Sequence, residues 1–81
     1  MIIKYPDKYL LDIFNKNYFI DVIKKINHNI KNDNSNLVQL ELLGLSYLKL
    51  KNYENSIVVF NHIKKKYPRY ININVNIAAV Y

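Results

Sequence analysis

Cysteine and tryptophan are absent from this 81-residue chain, and glycine occurs once and proline twice. Without cysteine there is neither a disulfide framework nor a thiolate metal site, and cysteine chemistry says nothing about the redox compartment. So few chain breakers exclude a turn-rich all-β domain and a low-complexity disordered segment. No glycine-rich phosphate loop can be built around Gly44 alone. Negative charge is also scarce, with six carboxylates against twelve Lys and Arg and a net charge of +6. No apolar run is long enough to cross a bilayer. The opening MIIKYPDKYLLDIF is broken by Lys4, Asp7, Lys8 and Asp12 and has no small-residue cleavage site, unlike a secretory leader. These absences predict a cytoplasmic protein with no membrane insertion.

What the chain does have is apolar side chains, 51% of the total. That is ample for one core, although a domain of this length buries only about 60–65% of the surface its unfolded chain exposes. Asn, Ile, Lys and Tyr are abundant and share A/T-rich codons, so part of the charge and Asn content reflects codon usage rather than function.

Apolar spacing divides the chain into helices. Tyr9, Leu10, Ile13 and Phe14 share a face, and Pro6 and Asp7 suit a first helical turn, which predicts a helix over 6–15. After Asn15, Lys16 and Asn17, a second helix carries Phe19, Val22, Ile23, Ile26 and Ile30 at spacings of three and four. The polar run KNDNSN follows, and Ser35 or Asn36 can cap a third helix over 37 to about 50. A fourth helix presents Tyr53, Ile57, Phe60, Ile63 and Tyr67, with Lys64, Lys65 and Lys66 in its last turns and Pro68 beyond its end. The last segment, RYININVNIAAVY, alternates Ile and Val with Asn at a period of two, as a strand does. A helical reading that places Ile73, Ile77, Val80 and Tyr81 on one stripe competes with it and is preferred.

A shift of 34 residues superposes Asn27-His28 on Asn61-His62, Leu11 on Leu45, Phe19 on Tyr53, Ile23 on Ile57 and Ile26 on Phe60. Lys16-Asn17-Tyr18 matches Lys51-Asn52-Tyr53 at 35 instead, leaving open a one-residue slip at the first turn. Self-similarity at this period is the mark of stacked two-helix repeats.

Leu40-x-x-Leu43-Gly44-x-x-Tyr47, then Ser56-x-x-x-Phe60, then Pro68 resembles the tetratricopeptide repeat. Small residues at 44 and 56 let two antiparallel helices approach, and Leu43, Tyr47 and Phe60 fill the space around them. Ile63 departs from the pattern, where a small residue is usual. The resemblance implies an all-α fold, a right-handed superhelix of antiparallel helix pairs. Residues 3–36 would form a degenerate repeat and 37–70 the best-matching one. Residues 71–81 would be the first helix of a further repeat or a capping helix.

The resemblance further implies a non-enzymatic module that binds a peptide or helix of a protein partner in a concave groove. That groove would be lined by Asp7, Leu11, Glu41, Leu45, Lys49, Val75 and Ala79. Relatives that clamp a peptide's terminal carboxylate use cationic and Asn side chains; Asp7, Leu11, Leu42, Asn72 and Asn76 stand there, so that clamp is missing and the implied ligand is apolar or basic. No metal or other cofactor is expected. His28 and His62 lie one repeat apart, too far to share an ion, and neither has an i+4 His or Cys partner. The carboxylates are scattered, and no Ser or Lys has a nucleophile's context.

Two other readings come from the residues themselves. Lys64, Lys65, Lys66 and Arg69 interleave with Tyr67 and Tyr70, an arrangement that suits a polyanion or nucleic acid. Lysines at a helix C-terminus also offset its dipole without any ligand, so nucleic acid is the weaker reading. An apolar tail with no charge after Arg69 suits self-association through Ile73, Ile77 and Tyr81.

Overall fold

The computed structural model describes residues 4–32 and 35–69. Among them are four α-helices and no strand: α1 (Asp7–Asn15), α2 (Phe19–Lys31), α3 (Leu37–Lys49) and α4 (Tyr53–Lys66). Residues 71–81, and with them the choice between helix and strand, lie outside the described residues.

The turns inside the two helix pairs are built alike. The turn after α1 holds Asn17 at φ 65°, and the turn after α3 holds Lys51 at φ 61°. The N–H of Asn17 donates to the Phe14 carbonyl and that of Tyr18 to the Ile13 carbonyl, both at 2.9 Å. Lys51 and Asn52 repeat the pattern on Leu48 (3.0 Å) and Tyr47 (2.9 Å). This is the left-handed closure that satisfies the last carbonyls of a helix. Asn17 and Lys51 are 34 residues apart, as are the starts of α2 and α4, so the first turn carries no slip. The match of residue names at 35 is a coincidence that the backbone does not follow.

Asparagine tolerates left-handed φ, whereas lysine is strained there. Because Lys51 is exposed, Lys51→Gly removes strain without removing a contact. It is expected to stabilise the domain by about 0.5–1 kcal/mol, after the larger backbone entropy of glycine is deducted. A thermal melt should show a rise of a few degrees, and Asn17→Gly should gain less.

α3 is apolar on most of its circumference, as a helix with neighbours on several sides must be, and it packs against α1, α2 and α4. Leu42 and Leu43 join Leu10, Ile13, Val22 and Ile26 in one buried cluster. Leu40 joins Phe60 and Ile63 in another, and half-buried Val59 touches both. Four buried positions of the first pair recur as buried in the second at an interval of 34: Leu10 and Gly44, Val22 and Ser56, Ile26 and Phe60, Asn29 and Ile63. Volumes trade across the interval. Where the first pair sets Leu10 and Val22 around Ile26, the second sets Gly44 and Ser56 around the larger Phe60. A β-carbon at residue 44 would lie 2.7 Å from Cε1 of Phe60, and the Ser56 hydroxyl donates to the Gly44 carbonyl at 2.9 Å. Ile63 is fully buried and fits this cluster.

Two stripe positions differ from the spacing pattern. On α2 the buried stripe is Val22, Ile26 and Asn29, while Ile30 is 37% exposed; on α4, Tyr53 is 47% exposed. The Asn29 side chain is fully buried and bonded on both sides. Its Oδ1 accepts from the Tyr5 N–H at 3.0 Å, and its Nδ2 donates to the Tyr5 carbonyl and to Gln39 Oε1, each at 2.9 Å. Gln39, also fully buried, donates from Nε2 to Asp7 Oδ1 at 2.6 Å. Asn36 caps α3 by accepting from the Gln39 N–H at 3.0 Å, and its Nδ2 lies 3.1 Å from both Asp7 oxygens. One connected set of amides and a carboxylate thus ties the lead-in to α1, the end of α2 and the start of α3.

Candidate functional site

The groove residues implied by the resemblance fall into different surroundings. Asp7, in the first turn of α1, is half-buried, and its carboxylate accepts from Gln39 and Asn36 at the start of α3. It therefore sits near the positive ends of two helices, and its charge serves the α1–α3 junction. One turn along α1, Leu11 is 46% exposed and lines a shallow depression with Pro6, Lys8, Tyr9, Asp12 and Asn15. Asp12 and Lys16 pair at 3.1 Å, both more than half exposed, which contributes little to stability.

On α3, Glu41 and Leu45 are half-buried and Lys49 is exposed. Leu45 packs on the Leu40, Phe60 and Ile63 cluster, turned toward α4 rather than lining the depression that holds Leu11. Val38, which the sequence pattern did not single out, is 49% exposed at the start of α3. Its position three residues before Glu41 was the available signal. Val75 and Ala79 lie outside the described residues, as do Ile73, Ile77 and Tyr81.

Lys64, Lys65 and Lys66 are exposed in the last turn of α4, and Arg69 is exposed beyond it. Lys66 Nζ stands 5.7 Å from the Tyr67 ring centre. At the other end of the molecule's sequence the Tyr5 ring meets His28 edge-on at 5.5 Å, with Lys25 Nζ 5.5 Å above it. These rings and the Lys25 ammonium fasten the lead-in of α1 onto α2.

Among the described residues no three His, Cys, Asp or Glu side chains converge as a metal site would require, and no helix is long and apolar enough to cross a membrane. The described surface offers exposed apolar side chains and cations. Comparison with protein-family models, curated proteins and solved structures finds no match to this chain.

Proposed function

We propose that this chain is a short array of tetratricopeptide-like helix pairs, stacked as a right-handed solenoid, whose task is to bind a peptide or helix of a protein partner without catalysing a reaction. The observation that carries the reading is the 34-residue recurrence of buried positions together with the recurrence of the left-handed turn at Asn17 and Lys51. Stacked pairs of this kind present the first helix of each pair on one side, where extended ligands lie. In such a stack α1 and α3 supply that side. Leu11 and Val38 are its exposed apolar contacts, Glu41 and Lys49 its charged positions.

Leu45 is an imperfect probe, because Glu at that site would disturb the cluster around Phe60 as well as any bound peptide. Leu11 is the better one. Peptides selected against the whole chain from a displayed random library are expected to lose about tenfold or more in affinity on Leu11→Glu, with an unchanged far-ultraviolet dichroism spectrum. Selected peptides that bind the variant and the parent equally would place recognition elsewhere.

A second reading, adhesion to polyanions, draws on the exposure of Lys64, Lys65, Lys66 and Arg69. It requires an affinity that falls steeply with salt.

A further inference from the structure

Away from α1, the end of α2 and the middle and last turns of α4 border an apolar groove over α3. Leu40 and Leu43, each 4% exposed, and half-buried Val59 form its floor. Ile30 of α2 and Val58 of α4 form its walls, and Val58 is 65% exposed. His62 and Lys66 stand on its rim. Among its lining residues the one charged side chain is the cation Lys66, with Lys64 and Lys65 in the same last turn of α4. From Asn55 onward α4 carries Lys64, Lys65 and Lys66 with no carboxylate, and Lys31 closes α2 next to Ile30. The acidic residues of these helices, Asp21 and Glu54, lie in their first turns.

We propose that this groove is a second docking surface, and that its occupant is an acidic amphipathic helix of a partner protein. Aliphatic walls and floor match the leucine stripe of such a helix, burying apolar surface that Val58 and Ile30 leave to water. The cationic rim matches its acidic flanks and raises the rate of encounter. No Phe, Tyr or Trp lines the groove and its floor and walls are aliphatic, so its lining favours a protein over a nucleic acid. The surface is independent of the side formed by α1 and α3.

The test uses the full chain and fluorescence anisotropy with three labelled probes. One is a synthetic helix with Leu at i, i+3, i+4 and i+7 and Asp or Glu elsewhere; the second is the same composition with the Leu spacing scrambled; the third is oligouridylate. The amphipathic helix is expected to bind more tightly than its scramble by about tenfold or more. Val58→Glu and Lys66→Glu should each lower that affinity by a comparable factor, while Ile20→Glu, the same change of charge as Val58→Glu at an exposed site in the first turn of α2, should not. Both groove positions are exposed, and dichroism verifies that the variants fold. Equal binding of helix and scramble, an affinity untouched by Val58→Glu, failure of the helix to bind, or oligouridylate binding that matches the helix would each overturn the proposal; the last would reduce the rim to general polyanion adhesion.

Discussion

Phe60→Ala is expected to cost about 3–5 kcal/mol, a large share of what a domain of this size has, which is on the order of 4–10 kcal/mol. The ring is fully buried between Leu40 and Ile63 and lies against the bare α-carbon of Gly44. Removing it leaves a cavity that Gly44 cannot fill. Urea unfolding followed by dichroism should show the midpoint falling to a low denaturant concentration. The partner substitution tests the same contact from the other side. Gly44→Ala gains about 1 kcal/mol of helix propensity, yet its new methyl would lie 2.7 and 2.8 Å from Cε1 and Cζ of Phe60. A ring enclosed on all sides cannot yield, so the balance is expected to be a net loss of about 1–2 kcal/mol. Adding Phe60→Leu to Gly44→Ala makes room, and the pair should be less harmful than the sum of its parts by about 1 kcal/mol. Additive losses would show that the two sites do not press on each other.

Asn29→Leu is the second large effect, and its direction runs against hydrophobicity. Leucine has the same number of heavy atoms and the same branching as asparagine and is the better helix former, so a count of apolar surface predicts a gain. The bonds predict the opposite. Losing the amide strands the N–H and carbonyl of Tyr5 and the amide oxygen of Gln39 where water has poor access, at about 1–3 kcal/mol for each group left without a partner. A net destabilisation of about 2–4 kcal/mol is expected. Asn29→Asp separates shape from chemistry, because it keeps the acceptor for the Tyr5 N–H but loses both donors. Equilibrium unfolding of the two variants measures this, and an Asn29→Leu domain as stable as the parent would show that the polar set contributes nothing to stability.

Helix content and helix ends could be read in the sequence because local chemistry dictates them. Asn36 caps α3 through Gln39, Pro6 immediately precedes Asp7 at the start of α1, and α4 ends at Lys66, two residues before Pro68. What could not be read depends on partners distant along the chain. Asn29 looks like a surface residue beside Ile30 until Tyr5, 24 residues earlier, and Gln39, 10 residues later, are brought to it. Asp7 reads as a groove carboxylate, yet it is held by Asn36 and Gln39, 29 and 32 residues away. Leu45 has the spacing of an exposed contact, and only the placement of α4 shows it leaning on Phe60. The turn register was ambiguous for a different reason: Lys51 occupies a backbone conformation that favours glycine or asparagine, so residue names point to Asn52 while the chain bends one position earlier.

The polar bonds from Asn29 through Gln39 to Asp7 carry a consequence for how the chain comes apart. Helix repeats are often treated as beads, each melting with its own free energy and coupled to its neighbour by a greasy, forgiving interface. Here the coupling is directional, since opening the junction between the first two helices and the third breaks a linked set of amide and carboxylate hydrogen bonds together. Tyr5, α1, α2 and the start of α3 therefore form one cooperative block, and a cut between the two helix pairs would yield fragments rather than working halves.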